Sequence, residues 1–211
     1  KKVMLGLGRS ATKRLLLINN VDRPTEVARY ADQLIHDGIL DDYVFVDDYA
    51  SAALNFFKIS KEDLGKGYYY SIAELVSIYL CETDYLAHFS GDTIAQDSMP
   101  SDWLNTAVEL LQEREDVSVV NLAWDSKFSE VDKDAIFLEE SFAYGYGFSD
   151  QMYTIRSAEF KDHIYTYSHP ESDRYPKYGG ELFEKRVDSW MRVENRLRAT
   201  SRKWAYQHSN F

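Results

Sequence analysis

Short apolar runs bounded by turn residues alternate along this chain with longer segments whose apolar positions recur every three or four residues. Leu15-Leu16-Leu17-Ile18-Asn19 reads as a buried strand. Asp22-Arg23-Pro24 follows, with the proline suited to a first helical turn, and Val27, Tyr30, Ala31, Leu34 and Ile35 then share one helix face up to a stop at Gly38. Tyr43-Val44-Phe45-Val46 predicts a second strand, ending in Asp47-Asp48. Helical spacing returns at Ile72, Leu75, Val76, Tyr79 and Leu80. Tyr85-Leu86-Ala87-His88-Phe89 predicts a third strand, ending in Ser90-Gly91-Asp92. A helix face at Leu104, Ala107, Val108 and Leu111 precedes a strand from Val117 to Leu122. A strand over Gln151–Ile155 and a helix carrying Phe183, Val187, Trp190 and Met191 complete the pattern.

Strands alternating with helices predict an α/β fold with a mostly parallel central sheet flanked by helices. Ligands bind such sheets beyond the C-terminal strand ends. Asp47, Asp48 and Asp92 are therefore expected along one edge, although far apart in sequence. The polar stretch from Ser168 to Gly180 reads as a long loop of the kind that closes over a site. There is no tandem repeat or interdomain linker, so residues 1–211 read as one domain. Its nucleotide- and metal-binding part is expected over about 15–125, with an acceptor-side part and C-terminal helices over about 126–211.

Charge and composition narrow the partners. With 35 acidic and 24 basic side chains the formal net charge is −11, which argues against nucleic acid as a partner. No apolar run is long enough to span a membrane, and the lone Cys81 suits a reducing compartment, so a cytoplasmic location is expected. The sequence has no GxxxxGK[ST] loop, no HExxH or paired-cysteine zinc pattern and no GxSxG elbow, and Gly6-Leu7-Gly8 does not extend into a dinucleotide fingerprint.

Asn19-Asn20-Val21-Asp22-Arg23-Pro24, then Val46-Asp47-Asp48, then Tyr85 through Asp92 together resemble the family 2-type glycosyltransferases of the GT-A (Rossmann-like) fold. The resemblance runs from about Leu15 to His208. It implies transfer of a sugar from a nucleotide-sugar donor, UDP-linked, to a hydroxyl acceptor such as a growing polysaccharide, with inversion and with Mn²⁺ or Mg²⁺ as cofactor. In that family the strand-end acid pair holds the nucleoside, here Asp47 and Asp48, since a carboxylate can accept the uracil imide N–H or a ribose hydroxyl. The later Asp-x-Asp holds metal and diphosphate. This chain has Ser90 at its first position, leaving Asp92 as the carboxylate. His208 resembles a late histidine that completes the metal site, and Glu181, after Gly179-Gly180, stands where the family has its catalytic base. Arg23, Lys66, Arg198 and Arg202 are the cations expected around the donor.

Plain structural readings stand beside these. Asp47, Asp48 and Asp92 could cap turns, Lys66 could sit in an exposed turn, Arg198 and Arg202 could be a solvated helix face, and His88 suits a core position. Trp103, Trp124, Tyr144, Tyr146 and Tyr178 are candidate sugar platforms. Two alternatives remain open. One is a non-catalytic carbohydrate- or nucleotide-binding protein. The other is a sugar-nucleotide nucleotidyltransferase, which normally needs a glycine-rich basic loop where this chain has Asn19 to Pro24.

Overall fold

A computed structural model describes residues 11–96, 99–176 and 181–208. In chain order the regular elements are β1 (Leu15–Ile18), α1 (Pro24–His36), β2 (Asp42–Phe45), α2 (Val46–Phe57), α3 (Lys61–Leu64), α4 (Tyr68–Leu80), β3 (Tyr85–Phe89), β4 (Thr93–Ala95), α5 (Trp103–Glu113), β5 (Val117–Trp124), α6 (Phe128–Asp134), β6 (Phe137–Leu138), β7 (Phe142–Gly145), β8 (Met152–Arg156), α7 (Ser157–Phe160), α8 (Phe183–Val193) and β9 (Leu197–His208). Short 3₁₀ turns lie at Gly65–Gly67, Ile164–Thr166 and Pro170–Arg174. No helix among the described residues is long and apolar enough to cross a membrane.

Helix α1 begins with Pro24 and closes at Gly38, whose φ of +69° suits a residue without Cβ. The structure then departs from the expected sheet. β1 and β2 pair in parallel as a two-stranded sheet of their own. The main sheet has the order β3-β8-β5-β9-β7-β6, with β4 added on β9. Within it only β5–β9 is parallel; β8 lies antiparallel between β3 and β5, and β7 runs antiparallel to β9. The sheet is mixed and not mostly parallel. A strand buried on both faces shows the same apolar run in either direction, so the pattern carried no sign of direction.

The C-terminal region is a second correction. The basic segment expected to be helical is the strand β9, with Leu197 and Ala199 buried and Arg198 and Arg202 only partly so. Burial alternates over Leu197, Arg198 and Ala199, the strand signature, and then continues through Thr200 and Ser201 where the strand is covered on both faces. A register shift between Asn121 and Ala123 marks a bulge, across which β9 passes from Thr200 to Ala205.

Alternate residues of β5 and β8 feed two cores. Val120, Leu122 and Met152 face Trp103, Leu104, Ala107 and Leu111 of α5. Val119, Tyr153 and Ile155 face Leu75 and Ile78 of α4 and Phe183, Val187, Trp190 and Met191 of α8. The main sheet is thus covered on both sides by helices. A third cluster joins α2 to α4 through Val46, Ala50, Ala53, Ile72 and Val76, with Leu17 of β1 packed against it.

Candidate functional site

β3 ends at Phe89 and the chain turns sharply, with the Thr93 N–H donating to the Ser90 carbonyl. β4 then pairs with the far end of β9, in the register Thr93↔His208. That pairing brings Asp92 and His208 together across 116 positions of sequence, with His208 Nε2 at 2.9 Å from Asp92 Oδ2. The Asp125 carboxylate accepts the His208 backbone N–H at 2.9 Å and anchors the strand end.

Ser90, at the departure from Asp-x-Asp, has a defined place. Its hydroxyl donates to Asp92 Oδ1 at 2.5 Å and also contacts Thr93 Oγ1 and Gln151 Oε1. Partial burial pushes the Asp92 carboxyl up, but the hydrogen bonds from Ser90 and His208 outweigh it, and the group lies below its ordinary range. Asp92 is therefore held ionised.

Asp92 and His208 are hydrogen-bonded to each other, and both residue types can also ligate a divalent ion. Two ligands in neighbouring positions of an octahedron with bonds of about 2.1 Å stand about 3 Å apart, close to the 2.9 Å between Asp92 and His208. Among the described residues no group of three or more His, Cys, Asp and Glu side chains is placed to hold a metal. Phosphate oxygens and water would have to complete the coordination.

Beside this pair lies a carboxyl cluster that sequence reasoning missed. Asp150 follows β7 and its backbone N–H donates to Glu184 Oε1 at 3.0 Å. Burial, and then the Asp150 charge, push Glu184 up to about 8. Burial, and then the Asp92 charge, raise Asp150. Glu74 of α4 joins them from the core and is raised strongly by burial, then by the charges of Asp150 and Glu184. Its Oε1 lies 3.6 Å from His88 Nε2, too far for a good hydrogen bond, and burial pushes His88 down to about 4, so the imidazole is neutral at pH 7. His88 also stacks on Tyr153 at 4.8 Å and is a core residue. Only acids scattered over three segments marked the cluster in sequence; no spacing links Glu74, Asp150 and Glu184.

Glu181 is not at a helix start. α8 begins at Phe183, so Glu181 precedes even the residue that caps it. Its carboxylate pairs with Lys185 at 3.0 Å and is half exposed. Glu184 occupies the first helical turn instead. The Glu181 segment does touch the Gly65–Gly67 turn: the Glu181 N–H donates to the Asp63 carbonyl, and a Cβ on Gly67 would meet Leu182 Cδ2 at 2.9 Å.

The remaining candidates divide. Asp47 and Asp48 follow the C-terminal end of β2 and lie in the first turn of α2, both exposed, where the helix dipole favours them. Neither carboxylate makes a hydrogen bond or ion pair with a described residue, and none links them to Asp92. Asp47 is near enough to Tyr68 to raise its phenol, after burial. Lys66 is exposed in its turn. Arg23 precedes α1 and pairs with Glu26 at 2.8 Å. Arg202 is committed elsewhere: its guanidinium grips Asp132 at 2.7 and 2.8 Å and donates to the Glu139 carbonyl. Arg198 faces a cavity that Trp124 and Tyr146 also line. Trp103 and Tyr144 are wholly buried and serve the core; Tyr178, Gly179 and Gly180 lie outside the described residues.

No protein-family model matches the chain, and no curated protein sequence matches it.

Proposed function

We propose that the protein is a metal-dependent glycosyltransferase acting on a nucleotide-sugar, with UDP as the nucleotide of first choice. The observation that carries this reading is the meeting of Asp92 and His208 at 2.9 Å, beside a carboxyl pair of raised proton affinity. Asp92 and His208 would hold the divalent ion, which when bound supplies positive charge against the departing diphosphate. Asp47 and Asp48, whose carboxylates are unengaged, are offered to the nucleoside, and Lys66 to phosphate.

The base role moves from Glu181 to the pair beside the metal ligands. At neutral pH Glu184 keeps its proton and hydrogen-bonds Asp150, leaving Asp150 the ionised member. Asp150 takes the proton of the acceptor hydroxyl as its oxygen bonds to the anomeric carbon. The bond from that carbon to the phosphate oxygen breaks, and the nucleoside diphosphate leaves with the electron pair. A carboxylate raised toward neutrality is a better base than a free one, because proton transfer is most effective when the pKa approaches the working pH.

Thermal unfolding with UDP, ADP and GDP, each with Mn²⁺, Mg²⁺ or EDTA, tests the reading. Stabilisation by UDP that grows with the metal is expected. If none of the diphosphates shifts the transition in either metal, the reading is wrong.

A further inference from the structure

A cavity of about 460 Å³ opens beside the site and is lined by Trp124, Asp134, Tyr146, Arg174, Arg192 and Arg198, among others. Three arginines in one cavity are out of keeping with a chain of net charge −11. Their charges are not all spent. Arg192 is held by the fully buried Asp188 at 3.1 Å, and Arg174 lies 3.6 Å from the same carboxylate. Arg198 makes no ion pair among the described residues: its guanidinium lies over the Trp124 ring at 5.7 Å, and its buried Nε has no hydrogen-bond partner there.

Gly147 sets the geometry. Its φ is +111°, and a Cβ there would come within 2.8 Å of Arg174 Nη2 and equally of Arg198 Nη1. The two guanidinium nitrogens are therefore at most twice that distance apart, across a backbone with no side chain between them. Burial and then the Arg174 charge work against the Arg198 cation, with Tyr175, Asp188 and Asp134 partly offsetting them. Two like charges brought this close, one half exposed and the other with a buried Nε from which no described residue accepts, gain from an anion that joins them. Planar guanidinium forks suit the paired oxygens of phosphate or carboxylate.

The cavity also has a definite place relative to the proposed chemistry. Arg198 acts electrostatically on Tyr206, whose hydroxyl hydrogen-bonds Ser149 and senses Asp150. No residue of α2 or α4, the helices bearing Asp47 and Tyr68, lines it.

We infer that this cavity binds the anionic group, a phosphate ester or a carboxylate, of a second ligand distinct from the nucleotide-sugar. Arg174 and Arg198 take the anion and Trp124 and Tyr146 wall the cavity around it. On the glycosyl-transfer reading, on which only this label rests, that ligand is the acceptor, so the acceptor is an acidic or phosphorylated compound.

The test uses the whole chain in EDTA, so that no metal-bound diphosphate site contributes. Wild type, Arg174→Gln and Arg198→Met are titrated with inorganic phosphate by thermal unfolding and calorimetry, and then with UDP and Mn²⁺. Phosphate should stabilise wild type and bind each variant at least tenfold more weakly, with UDP affinity within twofold throughout. The Arg174 side chain is half exposed, so Arg174→Gln keeps the test sound if Arg198→Met fails to fold. D-Glucuronate against glucose 1-phosphate then tells a carboxylate seat from a phosphate seat. Arginine-dependent phosphate binding without UDP binding would uphold the anion site and remove the transferase reading. The inference is overturned if phosphate binds wild type no better than the variants. It is equally overturned if the variants lose UDP affinity tenfold, because the arginines would then belong to the donor diphosphate.

Discussion

Replacing Glu184 with glutamine should change how stability depends on pH more than it changes stability itself. Glu184 sits in the first turn of α8, enclosed beside Asp150, and its proton is held up to a pKa of about 8 against an ordinary 4.5. Between those values the folded protein carries a proton that the unfolded chain has released. Folding then takes up a proton, so stability is full below about 4.5, falls as pH rises, and levels off above about 8. The ceiling is about 1.4 kcal/mol per pH unit, or about 2.7 kcal/mol from pH 5 to pH 7. Sharing of the proton with Asp150 lowers it, so a difference of about 1–3 kcal/mol between the two proteins is expected over that interval. Glutamine keeps the size and still accepts the Asp150 N–H, but has nothing to titrate. Urea unfolding followed by tryptophan fluorescence at pH 5, 6 and 7 measures it. The gap between mutant and wild-type midpoints should grow with pH in the mutant's favour by roughly 0.5–1 M urea. Parallel pH profiles for the two proteins would show that Glu184 is not held protonated, and the account of the carboxyl pair would fall with it.

Other outcomes follow from the same geometry. Asp150→Asn should cut turnover by about 10²–10⁴-fold with UDP affinity nearly intact, whereas Glu181→Gln should stay within a few-fold of wild type; steady-state assays with an accepted acceptor decide between the two acids. Asp92→Asn and His208→Gln should each weaken Mn²⁺-dependent UDP binding by about tenfold or more, measured by calorimetry, and unchanged affinity in either would return that residue to a structural role. Gly147→Ala should lose about 1–3 kcal/mol from backbone strain and, by displacing Arg174 and Arg198, also lose the phosphate response. Arg202→Met should leave UDP binding within twofold, because Asp132 already occupies that guanidinium.

Much of the element pattern was legible because burial writes periodicity into sequence. The helices at Pro24–His36, Tyr68–Leu80 and Trp103–Glu113 and the strands at Tyr85–Phe89 and Val117–Trp124 lie where apolar spacing puts them. Strand direction was not legible, since β8 shows the same buried run whichever way it points. β9 was hidden by its arginines, whose charges mask the small buried residues Ala199, Thr200, Ser201 and Ala205 beside them. At the site, the contact between Asp92 and His208 lies where the family resemblance implied a pairing, and no local spacing marked it. The acids around Asp150 had no such pointer, because nothing local links a helix residue at 74, a loop residue at 150 and a helix residue at 184. Helix α8 begins only at Phe183, so Glu184, and not Glu181, lies in its first turn, where the helix dipole favours an acid.

The place of β9 bears on how the molecule can be made. This late strand is not at a sheet edge but between β5 and β7, and it carries Arg198 near one end and His208 at the other. During synthesis β5, β7 and β8 emerge with the slot between β5 and β7 still empty, and each of those two flanks exposes an unpaired row of backbone donors and acceptors. The sheet closes only when residues 197–208 have left the ribosome. Until then the nascent protein has no Asp92–His208 contact, no complete arginine cavity, and two open strand edges of the kind that recruit other chains. β9 therefore sets the moment at which the sheet closes, and the open edges that precede it are what chaperone protection of the nascent chain would cover.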